Sequence, residues 1–179
     1  MKRFYLTSET DTIHHFFSWC ERYSELLKPQ YVTLTDVSAS EFEEDQALKE
    51  QKLKIRETFL QEAEPFLLGK LPHKNWYGHT YADAQVYVFA YGADIFCLLE
   101  KYTPYLLICD EDGSAPIDLQ NINIFRQNGN LLLGTVSHAG IADLFLEETE
   151  VDKLLLPDTF QEGSYTWKIT QLPVAAIER

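Results

Sequence analysis

Cations are scarce in the last hundred residues of this 179-residue chain. Between Thr80 and Arg179 the only ones are Lys101, Arg126, Lys153, Lys168 and Arg179, set against fifteen Asp and Glu side chains. That stretch carries about −10 of the formal net charge of −13, and Met1 to His79 carries about −3. A field of this sign repels nucleic acid and anionic lipid and attracts cationic partners. The aromatic residues come with no basic stripe, which a DNA or RNA reader would need.

Long apolar runs are missing too. None approaches the roughly 18 residues that cross a bilayer, so no membrane span is expected. Met1-Lys2-Arg3 is basic, but no apolar stretch follows it as in a secretory signal. Cys20, Cys97 and Cys109 are odd in number and lie within apolar segments. That argues against a disulfide framework and for three reduced core thiols in a cytoplasmic protein.

The short motifs of the large enzyme families are absent as well. The chain has no P-loop, no dinucleotide-binding G-x-G-x-x-G, no HExxH, no CxxC pair, no G-x-S-x-G elbow and no kinase signature. No cofactor and no metal are expected. An enzyme with dispersed catalytic residues stays open, as does a protein that only binds. There is no internal repeat and no low-complexity tract.

What is present is ample material for a core: 45% hydrophobic residues, with 11 Phe and 10 Tyr. A single α+β domain over residues 1–179 is expected, with two N-terminal helices packed on a mainly antiparallel sheet of about four to six strands. The helical part spans about 1–68 and the sheet-rich part about 80–179. Pro65, Gly69, Pro72 and Gly78 mark a loop between them.

The apolar positions Ile13, Phe16, Phe17, Cys20 and Leu27 predict a first helix over Ser8–Lys28, capped by Ser8 or Thr10 and ended by Pro29. A strand over Tyr31–Val37 follows. A long helix then runs from a cap at Ser38 or Ser40 to about Glu64, with Leu48, Ile55, Phe59 and Ala63 facing inward. Its Glu and Asp residues precede its Lys and Arg residues, which suits the helix dipole and reads as a solvated face. Gln85–Tyr91 predicts a strand, Ala93–Tyr102 a helix and Tyr105–Cys109 another strand. Ile122–Gln127 and Leu131–Val136 flank Asn128-Gly129, the dipeptide favoured in a type I′ hairpin turn. Ile141–Glu148 reads as a helix, with a helical turn around Val151–Leu156. Pro157–Gly163 reads as a turn region and Tyr165–Ile169 as a final strand.

Few residues carry candidate chemistry. His14 and His15 are adjacent on a helix, so their rings diverge by about 100° and cannot chelate one ion. Asp110-Glu111-Asp112-Gly113-Ser114 starts like a calcium loop, but its glycine comes fourth and its twelfth residue is Asn121. His138 with Asp143 or Asp110 forms the candidate acid–base pair, His138 ending a hairpin arm beside Gly140. Cys109 has apolar neighbours that would keep its thiol inert. Trp76 and Tyr77 lie in the loop before the sheet, where aromatic side chains either anchor an interface or fold back on the core.

The acidic bias therefore leads. The function it favours is a non-enzymatic binding or inhibitory protein, most concretely an immunity protein that neutralises a basic toxin or nuclease domain. Its partner-binding residues would be Asp110, Glu111, Asp112, Asp143, Glu147, Glu148, Glu150 and Asp152, with Trp76 and Tyr77. The alternatives are a small cytoplasmic enzyme built around His138 and an accessory or regulatory domain that engages a partner through the Pro65–Tyr81 loop and the helical hairpin.

Overall fold

One eight-stranded sheet organises this molecule. The computed structural model describes residues 1–7, 12–36, 46–72, 77, 85–103, 105–108, 119–164 and 170–177. Its strands are β1 (Lys2–Leu6), β2 (Pro29–Asp36), β3 (Leu67–Pro72), β4 (Gln85–Ala90), β5 (Gln120–Arg126), β6 (Leu131–Val136), β7 (Ile141–Leu146) and β8 (Phe160–Glu162). All eight join one sheet in the order β3-β4-β2-β5-β6-β7-β1-β8. Every neighbouring pair is antiparallel. The α+β class holds, with more strands than the four to six expected. The sheet draws β1 and β2 from the supposed helical part and β3 from the expected loop, so helices and strands are interleaved along the chain.

Among the described residues the α-helices are α1 (Ile13–Arg22), α2 (Ser24–Leu27), α3 (Gln46–Ala63), α4 (Ala93–Tyr102) and the single turn α5 (Glu148–Val151), beside three short 3-10 turns. The amphipathic spacing of α1 turns Ile13, Phe16, Trp19 and Cys20 inward. Its cap is Thr12, whose hydroxyl accepts from the His15 N–H (3.1 Å), rather than Ser8 or Thr10. The first helix also ends sooner than expected. It breaks at Tyr23, and Lys28 turns the chain into β2 with φ +50. Ser38, Ser40 and the first turns expected of the second helix lie outside the described residues. Within α3, Phe59 and Ala63 are buried, whereas Leu48, expected inward, is 40% exposed.

Both faces of the sheet are covered. On one, Phe16, Phe59, Phe96 and Leu99 of α1, α3 and α4 pack with Val32, Leu34, Phe89, Ile124 and Leu144. On the other, Val86, Val88, Phe125 and Phe145 pack with Tyr77 and Leu172. Strands buried on both sides lose their visible alternation. That is why Ile141–Glu148, which reads as a helix, is instead the strand β7, followed by α5. Tyr105–Cys109 departs in the opposite direction. Tyr105 makes an isolated bridge with Thr12, and Leu106, Leu107 and Ile108 are buried without joining a strand. Cys109 and the final strand expected over Tyr165–Ile169 lie outside the described residues.

The hairpin forms where expected but with a different turn. Gly129 N–H donates to Arg126 O (2.9 Å), and Gly129 has φ +82 while Asn128 has no positive φ. This is a three-residue loop with glycine in the left-handed position, not type I′. Further along the hairpin, asparagine side chains stand in for backbone carbonyls. Thr135 N–H donates to Asn123 Oδ1 (2.8 Å), and Ser137 N–H to Asn121 Oδ1 (2.8 Å). Asn121 has φ +57, a region that asparagine enters far more readily than branched residues.

The cysteines differ from one another. Cys20 is fully buried, and burial pushes its thiol pKa far up, so the thiolate is scarce. Cys97, expected in the core, is exposed on α4. Iodoacetamide should therefore modify Cys97 in the folded protein and reach Cys20 only after unfolding, as read from peptide masses. Rapid labelling of native Cys20 would contradict the packing of α1 on the sheet.

Candidate functional site

The end of β7 hands the chain from the core to solvent, and the carboxylates divide there into two kinds. Asp143 sits within β7 at 0% exposure. Arg3 of β1 places Nη2 at 2.7 Å from Asp143 Oδ1, and the Tyr77 hydroxyl donates to Oδ2. Both oxygens are thus engaged inside the molecule, and Asp143 offers no carboxylate to a partner. Tyr77 is equally withdrawn, 2% exposed and edge-on to Phe145 (centroids 5.9 Å apart). Of the two roles open to the loop aromatics, Tyr77 takes core packing.

Glu150 is the second withdrawn acid. It meets Arg126 of β5 in a two-pronged pair, Nη1 to Oε1 at 2.7 Å and Nη2 to Oε2 at 2.8 Å. Arg126 also donates to the carbonyls of Leu27 (2.7 Å) and Phe145 (3.0 Å). Glu150 Oε2 accepts in addition from Glu147 N–H (2.8 Å), half of a capping box at the head of α5. Four elements therefore meet at one guanidinium: the end of α2, β5, β7 and α5. With the terminal nitrogens committed, Arg126 is a latch and not an anion hook.

What stays outside is the exposed set Glu147, Glu148 and Asp152, joined by Asp158, which sequence reasoning did not single out. Lys153 is the one cation between residues 147 and 158. Beside α5 a cleft of about 410 Å³ is lined by Leu26, Leu27, Lys28, Gln127, Asn128 and Glu147, with the Arg126–Glu150 pair in its wall. Lys28 and Arg126 there stand against Glu147 and Glu150, so the cleft carries no net charge of its own. Asp110, Glu111, Asp112 and Trp76 lie outside the described residues. So does the His138 side chain, whose backbone forms a short turn at Ser137–Ala139. Asp143, its expected partner in the acid–base reading, is the carboxylate held by Arg3 and Tyr77.

Sequence reasoning missed Arg126. The available signal was a lone charge in an otherwise uncharged hairpin arm, followed later by the Glu147-x-x-Glu150 spacing of a capping box. Among the described residues no group of three or more His, Cys, Asp or Glu side chains converges to hold a metal ion, and no helix is long and apolar enough to cross a membrane. Comparison with protein-family models, with curated proteins and with solved structures finds no match to this chain.

Proposed function

We propose that this protein is a non-enzymatic acidic binding protein of the cytoplasm that docks on a cationic protein, most concretely as an immunity-type inhibitor of a basic toxin or nuclease domain. The observation that carries this reading is the exposed carboxylate run after β7, Glu147, Glu148, Asp152 and Asp158, in which Lys153 is the one cation in sequence and the N-terminal ammonium lies 4.0 Å from Glu147. Glu150 is neutralised within the fold, so the exposed acids stand on a segment already fixed by the Arg126 latch. A nuclease cleft is basic because it holds phosphate, and carboxylates on a rigid surface can occupy the same field. Such complementarity lifts association above the roughly 10⁵–10⁶ M⁻¹s⁻¹ of a neutral pair.

The test is capture from native extract at low salt, followed by purification of the retained protein and kinetic measurement. The retained protein should be cationic, with an association rate that falls steeply as salt rises. The triple variant Glu147→Lys, Glu148→Lys, Asp152→Lys should associate at least tenfold more slowly. An unchanged rate in that variant would refute the reading. Recovery of no protein partner, together with an enzymatic turnover that vanishes in His138→Ala, would replace it by the acid–base alternative.

A further inference from the structure

Leu155 is the most exposed large apolar side chain among the described residues, at 76% against 53% for Met1, the next. Single exposed leucines are common on protein surfaces and by themselves mean little. This one differs in how its backbone is held. Trp19 Nε1–H donates to Leu155 O at 2.6 Å, and Leu155 N–H donates to the Tyr23 hydroxyl oxygen at 3.1 Å. Both polar groups of the residue are thus tied to α1 and to Tyr23 just past its end, across more than 130 residues of sequence.

The clamp itself is rigid. Trp19 is 6% exposed and packs on Phe16 and Tyr23, with ring centroids 5.5 and 5.8 Å apart. Phe16 in turn meets Phe160 at the start of β8 (5.7 Å). On either side of Leu155, Leu154 is buried at 8% exposure and Leu156 packs against the main core. Of three consecutive leucines, only the middle one is turned out. The backbone entropy of this segment is lost on folding, so a partner that received Leu155 would have little left to order.

The surroundings specify the partner. Asp152 and Asp158 are exposed three residues to either side, Lys153 is the one exposed cation between them, and Glu147 and Glu148 stand at the head of α5. We infer that Leu155 is the apolar anchor of the docking face, received by an apolar socket on a cationic protein whose Lys or Arg side chains border the socket. A second copy of this chain fits poorly, because it would set acids against acids in a molecule of net charge −13. The inference rests on the proposed function and adds to it the residue that sets the lifetime of the complex.

The experiment compares Leu155→Ala and Leu155→Asp with the triple charge reversal, using the cationic protein purified after capture. Both leucine variants should keep the parent unfolding midpoint, since the side chain is in solvent. Dissociation should quicken at least tenfold for Leu155→Ala and more for Leu155→Asp, with the salt dependence of association unchanged. The charge reversal should do the converse, slowing association with little effect on dissociation. Wild-type dissociation in Leu155→Asp would overturn the anchor while leaving the acidic reading standing. Unaltered association in the charge reversal would overturn the acidic reading, and recovery of no partner by the wild-type protein would overturn both. A dimer seen in sedimentation and abolished by Leu155→Asp would overturn the assignment to a cationic partner.

Discussion

Arg126→Ala is expected to lower the unfolding free energy by about 3–5 kcal/mol, a large part of the roughly 5–15 kcal/mol that a domain possesses. The reason is what remains behind. Arg126 and Glu150 have side chains 10% and 9% exposed. Removing the guanidinium strands a desolvated carboxylate and leaves the carbonyls of Leu27 and Phe145 without their donor. Glu150→Ala should cost a comparable amount for the opposite reason, leaving an unpaired buried cation. The double variant Arg126→Met, Glu150→Leu should recover much of the loss, because no charge is then stranded and apolar volume fills the site. Urea unfolding of the two alanine variants and of Arg126→Ala, Glu150→Ala together gives the coupling between the two residues, and the Met/Leu variant shows how much apolar packing recovers. A double variant as unstable as the sum of the singles would show that the pair is hydrated and that the latch is not a desolvated contact.

The same pair shows where sequence reasoning reaches and where it stops. The hairpin was legible because Asn128-Gly129 is a local signal and the apolar arms are contiguous with it. The helices α1, α3 and α4 were legible from apolar spacing, although their ends and caps were not. β3 was hidden by Gly69 and Pro72, which look like loop residues. Gly69 follows a register shift, and Pro72 closes an edge strand, where a missing N–H costs little. β1 was hidden because Lys2 and Arg3 stand where an apolar alternation would be sought. β7 was hidden because each of its faces meets a core, so Ile-Ala-Asp-Leu-Phe-Leu has no polar side to show its period. The site followed the same rule. Exposure of Glu147, Glu148 and Asp152 is a property of the turn they sit on, whereas burial of Asp143 and Glu150 depends on Arg3 and Arg126, more than twenty residues away in sequence. Net charge counts all of these acids alike, and only the long-range partner separates them.

Asp143→Ala is the second substitution with a large expected effect, about 3 kcal/mol of lost stability. The carboxylate is fully buried and joins Arg3 on β1 to the Tyr77 hydroxyl, so its removal leaves a buried hydroxyl and a guanidinium that is only 18% exposed without this acceptor. Tyr77→Phe should cost about 1.5–3 kcal/mol by removing a hydrogen bond to a charged group. In the Asp143→Ala background the same change should cost far less, since the bond is already gone. Gly134 supplies the geometric half of this arrangement. A Cβ there would come within 2.7 Å of the Tyr77 ring carbons Cδ1 and Cε1, so Gly134→Ala must displace the ring and should cost about 1–3 kcal/mol. Urea midpoints of these variants measure each cost, and a loss below about 1 kcal/mol for Asp143→Ala would show the carboxylate to be solvated. The contrast with binding is the sharper test. Asp143→Asn should lower stability yet leave the association rate for the cationic protein unchanged, while Glu148→Lys should leave stability unchanged and slow association. If Asp143→Asn alone slowed association in still-folded protein, the division of this acidic segment into buried struts and exposed docking residues would fail.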